Sequence, residues 1–274
     1  MLSLSTQAVQ RLSDRLVFAM IEENMEENRS VEATWGPWAT IGLSVVVGLV
    51  QLPIATFVVI LVFIWLVATG SAPDPQVFEK GLENYEGIIL SLSMTLSVVP
   101  CVALMILFAR RGGKNSWQQY LAFQPVSRTT VFYGVAISAA FILVSDSLTY
   151  LLGRPIVTEW MLNIYETSKS PGLFWIALCV AAPVFEETLF RGFLFRGFAS
   201  SRVGPIGAIV ITSLVWSLIH IQYDMHNIVI IFFLGLILGM VRLRTHSIYP
   251  CIAMHCFNNA IATLEIVLLP GMSQ

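Results

Sequence analysis

The residues best suited to chemistry are Glu186, Glu187 and Arg191, three charged side chains in the segment Glu186-Glu187-Thr188-Leu189-Phe190-Arg191. The preceding stretch, from Leu173 to Phe185, contains no charged residue. An ionisable side chain near the centre of a bilayer costs about 2.5–3.5 kcal/mol on insertion scales, and such residues usually serve a function. We therefore take this triplet as the starting point for a functional site.

Helical geometry predicts different roles for the three residues. Residues four apart lie on one face of a helix, so Glu187 can pair with Arg191, whereas neighbouring Glu186 points about 100° away. A carboxylate without a cationic partner in apolar surroundings is suited to accept a proton from water. We expect Glu186 to be the base and Glu187 with Arg191 to be its electrostatic support. The alternative is an ion pair with a purely architectural role.

The composition indicates a membrane protein. Of the 274 residues, 56% are hydrophobic and only 12% are charged, and the mean hydropathy of +0.77 lies outside the range usual for soluble domains. The formal net charge of −2, without a basic tail, argues against binding to nucleic acid. The four cysteines fall in apolar runs without a CxxC pair, which predicts buried thiols.

Long apolar stretches predict an all-α, polytopic transmembrane bundle of about seven spans. A polar amino-terminal segment, 1–38, is expected to be amphipathic and cytoplasmic, and no removable signal peptide is evident in it. The transmembrane domain is expected over 39–270, with the core around 170–268. The expected spans lie within Ala39–Gly70, Gly87–Ala109, Val131–Leu152, the stretch carrying the charged triplet, Ile206–Ile221, Ile228–Val241 and Ile248–Leu268.

Basic clusters predict the orientation of these spans. The clusters near Arg110, Arg196 and Arg242 fall on one side if the spans alternate, and that side should be the cytoplasm. The amino terminus is then cytoplasmic, and a bacterial inner membrane is the expected location. Gly235 and Gly239 form a GxxxG pattern that favours close helix packing.

Three further polar residues lie within the apolar spans. His220 is late in the fifth span, and His255 and Asn259 are four apart on one face of the seventh. Each could be a simple interhelical hydrogen bond. Together with the charged triplet, however, they place acid, base and amide groups on three helices, which favours one converging site.

These residues form three motifs whose order resembles that of the CPBP family, the CAAX protease and bacteriocin-processing proteins. The family patterns are EExxxR, FxxxH and HxxxN on successive transmembrane helices. The corresponding residues are Glu186-Glu187-xxx-Arg191, Trp216-xxx-His220 and His255-xxx-Asn259. The resemblance covers about 170–265, and Trp216 replaces the usual Phe.

The resemblance implies a glutamic-type intramembrane endopeptidase that needs no metal or other cofactor. Glu186 and His220 would activate the hydrolytic water, and His255 and Asn259 would stabilise the oxyanion, a role worth about 2–3 orders of magnitude in rate per donor. Glu187, Arg191 and Trp216 would support the site. The substrate would be a peptide or a membrane-anchored protein, with prenylated CAAX-type proteins among the candidates, cleaved near the cytoplasmic side.

Three other functions remain open from the sequence. A non-catalytic family member could act as a membrane scaffold or as a bacteriocin immunity factor. A zinc protease could use the same carboxylates and imidazoles, although no HExxH motif is present. A transporter could also bury these charges, but no paired repeat is visible.

Overall fold

The computed structural model describes residues 35–70, 82–112 and 116–269. Of the predicted amphipathic segment 1–38, residues 1–34 lie outside these ranges, and Pro37 and Trp38 belong to the first helix. Within them the chain is helical and contains no strand, which confirms the predicted all-α fold. The helices are α1 (Pro37–Ala68), α2 (Glu86–Arg111), α3 (Trp117–Tyr120), α4 (Arg128–Leu151), α5 (Glu159–Thr167), α6 (Pro171–Ala199), α7 (Gly204–Leu218), α8 (Met225–Thr245) and α9 (Tyr249–Leu268).

Six of these helices are long and apolar enough to cross a membrane: α1, α2, α4, α6, α8 and α9. The predicted fifth span, Ile206–Ile221, corresponds to α7, which has only 15 residues. At 1.5 Å per residue such a helix covers about 22 Å, less than the hydrocarbon core. It is therefore shorter than the other spans, and His220 lies two residues beyond its last residue, Leu218.

Local sequence signals explain where the helices begin. Ser127 caps α4 by accepting a hydrogen bond from the backbone N–H of Thr130, and Asp224 caps α8 by accepting one from Asn227. Proline occupies the first turn of α1, α6, α7 and α9, where its missing N–H removes no helical hydrogen bond. Helix α1 continues through Pro53 as one span.

Helix α6 is the centre of the bundle. Buried residues make up 61% of its most apolar 18-residue window, compared with 17–33% for the other five long helices. Its aromatic side chains pack into the main core with Trp216, Met105 and Tyr120. The charged triplet is thus carried by the helix that is most shielded from lipid.

Charged residues distinguish the two ends of the bundle. One end, called here the basic end, carries the arginines at the termini of α2, α4, α6, α7 and α8: Arg110, Arg111, Arg128, Arg196, Arg202, Arg242 and Arg244. The opposite end, called here the acidic end, carries Glu83, Glu86, Arg154, Glu159, Glu166, Lys169 and Asp224. Across the described residues, every acidic side chain outside the spans lies at the acidic end.

Two of the basic-end arginines differ from the expectation for loop residues. Arg196 is 4% exposed and Arg242 is fully buried, although the sequence suggested that both mark the exit of a span. Arg196 donates to the carbonyl oxygen of Gln119, and Arg242 donates to that of Arg191 while its guanidinium lies over the ring of Phe195. Their burial shows that α6 and α8 remain packed up to their basic ends.

The glycine pair of α8 packs as predicted. A β-carbon added to Gly235 would lie 2.8 Å from the Ser213 Cβ atom, and one added to Gly239 would lie 2.8 Å from a methyl carbon of Ile209. Both distances are too short for a real β-carbon contact. The two glycines therefore permit the close approach of α8 to α7, the helix that leads to His220.

Candidate active site

The Glu187–Arg191 pair is completely buried within α6. Both side chains are 0% exposed, and the Arg191 Nη1 atom donates to the Glu187 Oε1 atom over 2.9 Å, as the four-residue spacing predicted. The other Arg191 terminal nitrogen lies 3.4 Å from the Gly235 carbonyl oxygen, and the guanidinium stacks 4.4 Å from the centre of the Trp216 ring. The pair thus joins α6 to α7 and α8.

His255 completes this buried network. Its Nδ1 atom lies 2.9 Å from the same Glu187 oxygen that Arg191 contacts, and its ring packs edge-on against Trp216. A carboxylate can only accept, so the Nδ1 atom of His255 carries a proton. Because Nδ1 is fixed in this way, the Nε2 atom is the one available to a substrate.

Glu186 points in a different direction from Glu187. It is half-buried, and its Oε2 atom accepts a 2.5 Å hydrogen bond from the indole N–H of Trp216. The other carboxylate oxygen is left for water or substrate. Trp216 therefore orients Glu186 through its N–H group, while the face of its ring contacts Arg191.

His220 lies in the turn that follows α7. Its Nδ1 atom is 2.7 Å from the Trp216 carbonyl oxygen, which can only accept, so Nδ1 is the donor and Nε2 is free. The imidazole packs edge-on against Trp216 and stacks on Tyr223. Burial raises the pKa of Tyr223, and the nearby Glu186 carboxylate raises it further, so this phenol remains neutral.

Asn259 is hydrogen-bonded to a π-helical turn of α6. Over Ala177–Ala181 and again over Thr188–Leu194, the helix adopts π-helical turns, which are rare and occur frequently at functional sites. Leu178, in the first of these turns, accepts a 2.8 Å hydrogen bond from the Asn259 Nδ2 atom. An amide nitrogen has two hydrogens, so the second can be donated to a ligand.

One cavity of about 390 Å³ is lined by Glu186, Trp216, His220, His255 and Asn259. Glu187 and Arg191 do not line it, since they lie behind Glu186 in the protein interior. The six polar residues and Trp216 singled out from the sequence therefore form one contiguous group. The structure divides them into side chains that face the cavity and side chains that hold those in place.

The cavity extends toward the acidic end of the bundle. Its lining includes Ile156 and Trp160 from the acidic-end connection and Gln222, Tyr223 and Asn227 from the turn before α8. Cleavage near the cytoplasmic side was expected from the sequence, because Glu186 is only ten residues from Arg196. The structure itself shows only that the basic half of α6 is buried and that the open space lies on the other side of Glu186.

Two acidic residues that line this cavity were not identified from the sequence. Asp146 of α4 and Glu265 of α9 lie within hydrogen-bonding reach of each other. The available signal was that each is the only acidic residue in its expected span. Neither belongs to a recognised motif, so their proximity becomes visible only when α4 and α9 are packed together.

Among the described residues, no group of three or more His, Cys, Asp or Glu side chains is arranged to hold a metal ion. The two carboxylates of the triplet point apart, and the His255 Nδ1 atom is already engaged by Glu187. The four cysteines are free thiols, three of them buried.

Comparison with known families gives a match to part of the chain. Residues 168–261 match the family model described as Type II CAAX prenyl endopeptidase Rce1-like. Searches of curated proteins and of solved structures gave no match. The matched segment runs from the start of α6 into α9 and contains all the motif residues. The chain is thus a multi-pass integral membrane protein whose segment 168–261 is similar to the Rce1-like family of CAAX prenyl endopeptidases.

Proposed function

We propose that this protein is an intramembrane endopeptidase in which Glu186 activates a water molecule for attack on a peptide bond. The observation that carries the proposal is the single cavity onto which Glu186, His220, His255 and Asn259 open, with Glu187 and Arg191 buried behind them. A carboxylate, two imidazoles and an amide around one cavity supply a base and several hydrogen-bond donors. Hydrolysis of an acyl bond needs both.

Each side chain has a role that follows from its hydrogen bonds. Glu186, with one oxygen fixed by Trp216, takes a proton from water through its other oxygen. His220 presents Nε2 to the same water because its Nδ1 donates to a backbone carbonyl. The resulting hydroxide adds to the scissile carbonyl, and Glu186 then passes the proton to the departing amine, which restores the carboxylate.

The oxyanion formed in this step is stabilised by His255 and Asn259. Glu187 contacts both Arg191 and the Nδ1 atom of His255, which directs the Nε2 atom of His255 toward the cavity, where its protonated form donates to the oxyanion. Asn259 contributes the amide hydrogen that Leu178 leaves free. Each such donor is worth about 3–4 kcal/mol of transition-state stabilisation.

The substrate is reached from the acidic end of the bundle. Cytoplasmic ends of membrane helices are rich in Arg and Lys, and in the described part of the chain seven arginines lie at the basic end. With the basic end in the cytoplasm, the cavity opens toward the opposite side. The substrate is then a peptide or a membrane-anchored protein whose cleaved segment lies outside the cytoplasm.

Comparison of peptide termini tests this function in cells. Membrane and secreted fractions are compared from cells that express wild type or Glu186→Gln at equal levels, with Glu166→Gln, an exposed carboxylate of α5, as the matched control. We expect a set of new termini with wild type and Glu166→Gln that Glu186→Gln does not produce. Identical termini in all three strains, with Glu186→Gln still rescuing a deletion strain, would instead identify a scaffold or immunity protein.

A further inference from the structure

Asp146 and Glu265 form a second acidic group in the active-site cavity. Asp146 projects from α4 and Glu265 from α9, both are half-buried, and their carboxyl groups are within hydrogen-bonding reach. Both line the cavity that Glu186 and His255 line. They are not neighbours of the Glu187–Arg191 network, and the hydrolytic mechanism does not use them.

The charge of this pair has no counterpart in the cavity. Two carboxyl groups this close repel each other when both are ionised, so a cation placed between them would be stabilised. No lysine or arginine is among the residues that line the cavity. Glu265 also lies in the last turn of α9, where the free carbonyl groups of the helix disfavour a negative charge.

Joining α4 to α9 does not account for the pair. The two helices already meet through a hydrogen bond from the Ser138 hydroxyl to the Met254 carbonyl oxygen. Gly134 provides close contact as well, since a β-carbon there would lie 3.1 Å from the Met254 sulfur. Carboxyl groups placed in a membrane span at an energetic cost, without a structural need, indicate a function for their charge.

We propose that Asp146 and Glu265 form a subsite that binds a basic side chain of the substrate, lysine or arginine. Phe141, Ile142 and Ile261 line the cavity near the pair and can pack along the aliphatic stem of such a side chain. The charged head would then lie between the two carboxyl groups. The inference rests on the proposed function and specifies its substrate as a segment with a basic residue near the cleaved bond.

The first arm of the test measures cleavage preference. Wild type in lipid nanodiscs is given lipid-anchored peptides in which lysine or the uncharged, similarly shaped norleucine is placed in turn at each position around the cleaved bond. We expect kcat/KM to favour lysine by about tenfold or more at one position. In the double variant Asp146→Asn/Glu265→Gln the ratio of the two kcat/KM values should fall to near one. Glu166→Gln, with an exposed carboxylate removed, should keep the wild-type ratio.

The second arm measures binding without catalysis. Trp160 and Trp216 line the cavity, so tryptophan fluorescence reports occupancy. Decylamine is titrated against decanol, a neutral amphiphile of the same chain length, in Glu186→Gln protein so that Glu186 itself cannot supply the attraction. We expect decylamine to bind about tenfold more tightly than decanol, and the triple variant that also carries Asp146→Asn and Glu265→Gln to lose this difference.

The two arms separate the subsite from the proposed function. If decylamine binding depends on Asp146 and Glu265 but the wild-type protein cleaves none of the peptides, the subsite is supported and the endopeptidase is contradicted. Cleavage without a preference for lysine, together with equal binding of decylamine and decanol, would overturn the subsite and leave the endopeptidase standing. An unchanged lysine preference in Asp146→Asn/Glu265→Gln would also overturn it.

Discussion

Where the family pattern has phenylalanine, this chain has Trp216, whose indole ring adds an N–H group to the site. That N–H donates to Glu186, while the ring contacts Arg191 and both imidazoles. Phenylalanine could keep the ring contacts but could not donate. In this chain the aromatic residue therefore positions the proposed base directly.

Trp216→Phe should lower activity without unfolding the protein. A hydrogen bond to a charged group contributes about 1.5–3 kcal/mol, which corresponds to a loss of about ten- to a hundredfold in kcat. The measurement is kcat together with the midpoint of thermal unfolding. The control is Trp117→Phe, at a residue that packs against Phe123 at the basic end and outside the cavity. Equal kcat values for the two variants would show that the indole N–H has no positioning role.

Glu187→Gln should destabilise the protein, in contrast to Glu186→Gln. Loss of the Glu187 charge leaves Arg191 buried without its counterion, a change that costs about 3–5 kcal/mol in buried pairs. Glu186 is half-buried and borders the cavity, so the same substitution there leaves no buried cation unpaired. The check is unfolding by SDS titration of the two purified variants. Similar destabilisation of both would refute the division into support and base.

At the scale of the helices, length and lack of charge were sufficient to predict most spans. The expected bounds Val131–Leu152 and Ile248–Leu268 differ from α4 and α9 by three residues or fewer at each end. For α7, apolar composition gave the right place but not the early end at Leu218, because that end depends on the turn formed by His220 and Tyr223.

The site was predictable from sequence only where its residues share a helix face. The Glu187–Arg191 and His255–Asn259 spacings follow from helical geometry, and the motif order brought in His220. The π-helical turns of α6 could not be predicted, since they arise from packing and not from a local residue signal. The Asp146–Glu265 contact joins positions 119 apart in the chain, and no local pattern encodes such a contact.

Gly239→Ala should weaken the packing of α8 on α7. The added methyl would meet Ile209 at 2.8 Å, and overpacking of this kind costs about 1–3 kcal/mol. Gly42→Ala in α1 is the matched control, because nothing lies within 4 Å of a β-carbon there. The measurement is the midpoint of thermal unfolding of the two variants, which we expect to be lower for Gly239→Ala. A midpoint for Gly239→Ala at or above that of Gly42→Ala would contradict the close packing.

For the molecule as a whole, the uneven distribution of charged residues between the two ends and the position of the cavity predict one orientation of the protein in the membrane. The basic end is filled by buried side chains of α6 and α8, whereas the lining of the cavity includes residues of the acidic end. We predict that the basic end faces the cytoplasm, which would place the amino terminus on the cytoplasmic side and cleavage toward the other side.

Cysteine labelling tests this orientation. Gln222 and Arg202 are both exposed, at the acidic and basic ends respectively. In intact cells a membrane-impermeant maleimide should label Gln222→Cys above the background of the parent protein. Arg202→Cys should be labelled only after permeabilisation. Labelling of Arg202→Cys but not Gln222→Cys in intact cells would reverse the orientation and place the cavity on the cytoplasmic side.

Peptide hydrolysis by purified protein in the presence of a chelator tests the central claim most directly. Wild type and Glu186→Gln, each in lipid nanodiscs, are incubated with a lipid-anchored peptide library, with and without a strong zinc chelator, and the products are identified by mass spectrometry. The account predicts the same products from wild type under both conditions and at least about a thousandfold slower formation by Glu186→Gln. Equal rates for the two proteins, or loss of wild-type activity on chelation, would contradict Glu186-activated, metal-independent hydrolysis.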